Sequence, residues 1–231
     1  MMHQNVARIH LRAARLLGLL LLAGLMPACY SRSGKTYTPP PMLGGSTTLF
    51  SEDFFPYPNA GWNGPTVSNA TAAQVFMSPF YYLQMTDSSR PGSASTFTTM
   101  SFSSQALTFV VDLQFSATST QPDHAFIQIV DSANTATVLA QADLDTTTSM
   151  IAFTVGGGAA TSVAFAAGSF KTVTFTVDGA NNAHWQMGAT STTPAAFGSH
   201  ATKLLLSSSY PAGPAVAGPT FLFGNVIINS P

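Results

Sequence analysis

A strict alternation runs through the middle of this 231-residue chain. Leu107, Phe109, Val111, Leu113 and Phe115 fall on one face, and Thr108, Asp112, Gln114 and Ser116 on the other, with Val110 the single apolar exception. A period of two sustained over nine residues predicts a half-buried strand, because successive side chains of a strand point to opposite faces. Val173, Phe175 and Val177 repeat the pattern against Thr172, Thr174 and Thr176. Further strands are predicted at 48–54, 81–85, 95–102, 124–131, 136–142, 149–155, 160–165, 182–187, 201–208 and 220–228. Turn chemistry separates them at Pro91-Gly92, Ser132-Ala133-Asn134, Gly156-Gly157-Gly158 and Asp178-Gly179. No segment beyond residue 46 shows a helical period with caps at its ends. The abundance of Thr, Val and Phe favours pleated sheet. The fold class predicted is therefore all-β, with two antiparallel sheets packed face to face over the alternating apolar residues.

Composition explains how such a sandwich stays wetted. Only 7% of residues are charged, against about 25% in an ordinary globular protein. Ser and Thr number 25 and 28 and supply the polar surface instead. A formal charge of −1 gives no basic field for nucleic acid. One cysteine, Cys29, excludes a disulfide framework or a cysteine-rich zinc site within the chain. A hydrophobic share of 45% is too high for intrinsic disorder.

The first 28 residues read as a targeting segment. Arg8, Arg12 and Arg15 precede an apolar run from Leu16 to Met26, and no acid accompanies them. This is the order of a secretory signal. A helix of that run would rise only ~16 Å, about half of a bilayer core, so it is not expected to span. The run ends in Leu25-Met26-Pro27-Ala28-Cys29, which resembles the lipobox of bacterial lipoproteins, although Met26 stands where Leu is usual. The resemblance implies cleavage before Cys29, lipidation of that cysteine, and a membrane as partner. Tyr30 follows the cysteine where an Asp would signal retention, which implies the outer membrane of a cell envelope, with the domain facing the periplasm or the exterior. Ordinary signal-peptidase cleavage nearby, leaving Cys29 a free thiol, is the competing reading. Removing residues 1–28 leaves five basic and nine acidic residues, a formal charge of −4.

Residues 29–46 then form a lipidated cysteine and a tether. Pro39-Pro40-Pro41 stiffens this stretch and Gly44-Gly45 loosens it. Fully extended, it would reach ~50 Å. From 47 to 231 the composition fits one β-domain.

The order of elements in that domain resembles the concanavalin A-like lectin/glucanase jelly roll, including laminin-G-type modules. It opens with Leu49-Phe50-Ser51-Glu52-Asp53-Phe54, carries Asp178-Gly179 ahead of Trp185, and closes with Phe221-Leu222-Phe223-Gly224-Asn225-Val226-Ile227-Ile228-Asn229. The resemblance implies that the first and last strands pair. An immunoglobulin-like sandwich is the alternative, but twelve predicted strands suit a jelly roll better than seven.

Candidate sites are few. Glycoside hydrolysis needs two carboxyl groups flanking the sugar bond. The glucanases of this fold carry such acids on alternate positions of one strand, and no Glu-x-Asp-x-Glu pattern occurs here. Glu52 and Asp53 are adjacent, so on a strand they diverge. Asp143 and Asp145 have the spacing but precede Thr146-Thr147-Thr148 in an expected turn, where they read as solvated acids or a weak structural calcium site. His124, His184 and His200 form no metal-binding or catalytic spacing and read as partly exposed polar residues. No nucleophile elbow or phosphate-binding loop is present. The remaining signal is aromatic. Phe54-Phe55-Pro56-Tyr57-Pro58-Asn59-Ala60-Gly61-Trp62 reads as a loop. Tyr57 and Trp62 would stack on a sugar, and Asn59, Asn63 or Gln84 would hydrogen-bond it. Trp62 folded back as a cap, and Trp185 in the core, are the structural alternatives. The function expected is non-catalytic binding of glycan at the envelope. An assembly protein contacting another envelope protein, or a polysaccharide-active enzyme, is the alternative.

Overall fold

A computed structural model describes residues 46–103, 106–213 and 218–230. The signal segment, Cys29 and nearly all of the tether lie outside the described residues. The chain begins with β1 (Thr47–Glu52), β2 (Trp62–Ser68), β3 (Ala70–Met77), β4 (Phe80–Asp87), β5 (Gly92–Thr98) and β6 (Phe102–Ser103). It continues through β7 (Leu107–Phe115), β8 (His124–Asp131), β9 (Val138–Asp145), β10 (Met150–Val155), β11 (Thr161–Ala164) and β12 (Lys171–Val177). It ends with β13 (Asn182–Met187), β14 (Thr190–Ser191), β15 (Ala195–Ala196), β16 (Ala201–Tyr210) and β17 (Phe221–Ser230).

These strands form two antiparallel sheets. A nine-stranded sheet runs β14-β13-β12-β7-β17-β4-β3, with β1 added on β17 and β15 on β13. An eight-stranded sheet runs β11-β10-β9-β8-β16-β5-β2, with β6 added on β16. The implied pairing of first and last strands is present, with Thr47 opposite Ser230 and Glu52 opposite Val226. Alternation decides which residues meet between the sheets. Leu107, Phe109, Val111, Leu113 and Phe115 are all buried, as are Val173, Phe175 and Val177. Trp185 joins them in the core.

Two buried aromatics also bind one sheet to the other through their polar tips. Trp185 Nε1 on β13 donates to the Thr154 carbonyl on β10 at 2.9 Å. Tyr210 Oη on β16 donates to the Met85 carbonyl on β4 at 3.0 Å. A buried polar tip without a partner would cost stability, so these bonds let large rings fill the core.

Some strands differ from the sequence expectation. β2 and β3 have no counterpart among the expected strands, and Trp62 begins β2 instead of closing a loop. Both are edge strands. Pro65 sits in β2 where the register shifts between Asn63 and Thr66, a place where a missing N–H costs no ladder bond. β9 extends to Asp145, beyond the expected end at residue 142, so Asp143 and Asp145 lie on a strand and not in a turn. The strand expected at 95–102 divides into β5 and β6, which follow each other along β16.

One end of the sandwich is closed by a buried ion triad. Arg90 Nη1 and Nη2 donate to the two oxygens of Asp123 at 2.5 and 2.8 Å. Arg90 Nε lies 3.2 Å from Asp87 Oδ2. The Gly218 N–H donates to Asp87 at 2.8 Å, so segments before β5, β8 and β17 meet here. These side chains are 0–3% exposed. Removing one partner of such a cluster strands the others in a dry site. Arg90→Ala is expected to cost about 3–5 kcal/mol in urea denaturation followed by circular dichroism. A loss below about 1 kcal/mol would mean that the triad is wetted and the ends are held by other contacts.

Candidate functional site

The outward face of the eight-stranded sheet carries a compact polar row. On β8, Ala125, Ile127 and Ile129 point inward and are buried, which turns His124, Phe126 and Gln128 outward. On β9, Ala140, Ala142 and Leu144 point inward, which turns Gln141, Asp143 and Asp145 outward. Register sets the two triplets side by side: His124 opposite Asp145, Phe126 opposite Asp143, Gln128 opposite Gln141. β16 extends the rows, with Ser209, Ser207 and Leu205 on the other side of β8. Ser93, Ser95 and Phe97 of β5 come next.

Contacts hold these side chains in place. His124 Nδ1 lies 2.7 Å from Asp143 Oδ1. The His124 and Phe126 rings are parallel within 4°, with centroids 5.6 Å apart. Gln128 Nε2 donates to Gln141 Oε1 at 2.6 Å. Asp145 Oδ1 accepts from the Thr147 N–H at 2.8 Å and its hydroxyl at 2.7 Å. The hydrogen bond to Asp143 raises the His124 pKa, against the opposing effect of burial, and the charges of Asp143, Asp145 and Asp123 add to it. For Asp145, burial pushes upward but the Thr147 donors and His124 outweigh it, so its carboxyl is held below the usual range. The chemistry available is an aromatic ring flanked by amides, a carboxylate pair and hydroxyls.

The residues expected from sequence fall in three places. Trp62 is 4% exposed. Its indole stacks on Phe54 at 5.3 Å and meets Phe50 edge-on at 5.7 Å, so it is a core residue and offers no platform. Asn59 is spent inside its own loop: it donates to Glu52 Oε2 and the Pro56 carbonyl, and accepts from the Gly61 N–H. Tyr57 is half-buried with its ring edge-on to Phe54, and burial raises its phenol pKa. Asn63 is exposed on β2 in the eight-stranded sheet, whereas Gln84 is half-buried on β4 in the nine-stranded sheet, donating to Thr86 Oγ1. The fold therefore does not gather the five. Asp143 and Asp145 do share a face, with both carboxylates already engaged. Among the described residues no group of three or more His, Cys, Asp or Glu side chains could hold a metal ion.

Sequence alone singles out none of Phe126, Gln128 and Gln141, and leaves His124 a partly exposed polar residue. The signal was there in the spacing: His-x-Phe-x-Gln and Gln-x-Asp-x-Asp each place three side chains on one face of a strand. What sequence lacked was the register that joins them. A separate hollow lined by Phe153, Val155, Thr161, Thr192 and Thr193 carries no titratable side chain.

No family model matches the chain, and no curated protein does. Solved structures do match in fold. The Bacillus licheniformis β-glucanase aligns with a TM-score of 0.57 at 14% identity, over 82% of this chain and all of its own. The winged bean acidic lectin complexed with methyl-α-D-galactose aligns with a TM-score of 0.54 at 10% identity, over 80% of this chain and 98% of its own. An endo-β-galactosidase from Clostridium perfringens aligns with a TM-score of 0.58 at 10% identity, over 82% of this chain and 64% of its own. The chain thus has the concanavalin A-like lectin/glucanase jelly-roll fold, which lectins and polysaccharide-active enzymes share.

The His124–Asp143 contact has a pH signature. Because folding raises the histidine's pKa, the pair stabilises the fold below the unfolded value near ~6.5, and that contribution is lost as pH rises through the higher folded value. The site is half-open to water, so the effect is at most about 1 kcal/mol. His124→Gln should lower the melting temperature at pH 6 and leave it nearly unchanged at pH 9, measured by thermal denaturation. An equal loss at both pH values would assign His124 a packing role alone.

Proposed function

We propose that the chain is an envelope lipoprotein, anchored through acylated Cys29, whose sandwich binds carbohydrate without turning it over. The observation that carries the binding reading is the outward row of His124, Phe126, Gln128, Gln141, Asp143 and Asp145. Sugars present apolar C–H faces beside hydroxyls, so they suit a ring bordered by fixed donors and acceptors. The fold supports the reading, since one neighbour is a lectin with a bound galactoside and two are named for action on polysaccharides or galactosides. The row holds two carboxylates and one histidine, which favours neutral sugars over polyanionic ones.

The non-catalytic part rests on the carboxylates. Hydrolysis needs one carboxyl kept protonated as the acid. Asp145 is held in the opposite state by its donors, and Asp143 is engaged by His124. Phe126→Ala and Gln128→Ala should each weaken binding on a glycan array at least tenfold, about 1.4 kcal/mol, with neutral glycans preferred to uronates. Binding that survives both substitutions would move the site elsewhere, and no binding to any glycan would favour an assembly role. Turnover of a labelled polysaccharide, abolished in His124→Gln, would make the chain an enzyme.

The anchor is tested separately. A fatty-acid analogue fed to cells should label the wild type and not Cys29→Ser. Equal labelling of both would remove the lipoprotein reading.

A further inference from the structure

The 33 residues from Phe54 to Thr86 contain no charged side chain. The fold gathers the exposed aromatic residues of this stretch at one edge hairpin. β3 is the outer strand of the nine-stranded sheet, and Met77-Ser78-Pro79-Phe80 turns into β4. Phe76, Met77 and Phe80 are 55%, 42% and 50% exposed, and Phe55 of the preceding loop is 45% exposed. Tyr81 joins them: its ring stacks on Phe55 with centroids 4.5 Å apart and tilts against Phe76 at 4.9 Å. Apolar side chains scattered singly over a surface need no explanation, but a joined group without a charge does.

Register shows where this group lies. Met85 stands opposite Phe221 and Leu83 opposite Phe223, so β4 read backwards to Phe80 runs toward the C-terminal end of β17. On the same side of β17, β1 read backwards from Glu52 to Thr47 runs from Val226 to Ser230. The hairpin tip and the start of β1 therefore leave the sheet at one end. From Val226 to Ser230 is about 13 Å along a strand. The chain that joins β1 at this end is the Pro/Gly segment leading back to Cys29.

We propose that the β3–β4 tip docks into a lipid bilayer at the headgroup–acyl boundary, with Phe55, Phe76, Phe80 and Tyr81 as its anchors. Aromatic side chains favour that boundary, and the β3–β4 tip itself carries no charge; the carboxylate nearest in sequence to Phe55, exposed Asp53, accepts from the Phe55 N–H at 3.3 Å. The chemistry suits lipid better than sugar or protein. Sugar stacking needs free ring faces with donors beside them, but Tyr81 occupies faces of Phe55 and Phe76, and Gln74 accepts from the Tyr57 N–H. A protein partner would find no charge on the hairpin tip to set its register. The location of the membrane on this side rests on the reading of Cys29 as the anchor; the affinity of the tip for lipid does not.

The test uses the chain from residue 29 with Cys29→Ser and an amino-terminal histidine tag, held on phosphatidylethanolamine–phosphatidylglycerol vesicles by a nickel-chelating lipid. The tag replaces the acyl anchor, so failure of the lipidation reading leaves this result intact. Ser78→Cys is then the only thiol and carries an environment-sensitive fluorophore. Its emission should shift to the blue on vesicles and be quenched by lipid-borne nitroxides, while a label at Ala189→Cys, in the β13–β14 turn at the opposite edge of the sheet, stays water-like. Phe76→Ser with Phe80→Ser should reduce the shifted fraction at least fivefold. Water-like emission at residue 78 on vesicles, with full access to iodide, would overturn the proposal. So would a blue shift that depends on protein concentration without vesicles, which would make the tip a contact between copies.

Discussion

The structure depends on one strand placed last in the chain. β17 pairs with β7 along one side. On the other side it takes β4 over Phe221–Phe223 and β1 over Val226–Ser230. Between these partners Asn225 adopts a φ of 47°, and the register with β7 shifts between Gly224 and Ile227. The bend lets one strand serve two neighbours. It also requires close packing outside the sheet: a Cβ at Gly224 would lie 2.4 Å from Tyr82 Cδ1. That ring is itself stacked on Phe170 at 4.6 Å and has little room to move. The nine-stranded sheet cannot be completed until the ten residues Phe221–Ser230 arrive, so its pairing is dominated by contacts distant in sequence.

With the strand order closed, the layers are held by area and a few polar ties. Alternating Phe, Val and Leu exclude water, and that burial has no direction. Direction comes from Trp185 to Thr154 and Tyr210 to Met85, each linking one sheet to the other. The Arg90 triad adds a third constraint where three connecting segments meet. A different stacking of the layers would leave the polar tips of Trp185 and Tyr210 unpaired. A fixed stacking fixes the outward faces too, including the row on β8 and β9.

Much of this was legible in sequence, for a physical reason. β7, β8, β12, β13 and β16 have one face in the core, and burial on one face writes a period of two into the residues. β2 and β3 were not legible because they lie at sheet edges, where exposed positions occur on both faces. Trp62 misled because prolines and a glycine nearby suggested a loop, while its ring belongs to a core cluster with Phe50 and Phe54. Asp143 and Asp145 misled through the threonines that follow; those threonines begin the turn, and Thr147 caps Asp145 from beyond the strand end. Residue spacing could nominate the outward triplets of β8 and β9. Only register could show that His124 meets Asp143 and Gln128 meets Gln141.

The scarcity of charge has a different meaning once each charge is placed. Among the described residues the basic side chains are Arg90, Lys171 and Lys203. Arg90 is consumed inside the fold by Asp87 and Asp123. Lys203 extends over the Phe97 ring, with Nζ 5.2 Å from its centroid. Long-range attraction of an anionic polymer therefore has almost no source on this domain, and recognition must rest on short-range contact. Short-range contact is what the two uncommitted surfaces offer, in different chemistries. The β8–β9 row presents hydrogen-bonding groups around a ring, the chemistry that the proposed binding of a polyhydroxylated partner would use. The β3–β4 tip presents joined aromatic surface without charged side chains, the chemistry that the proposed docking to lipid would use. The first surface lies on the eight-stranded sheet and the second at the edge of the nine-stranded one, so the two proposals rest on separate residues and are tested separately.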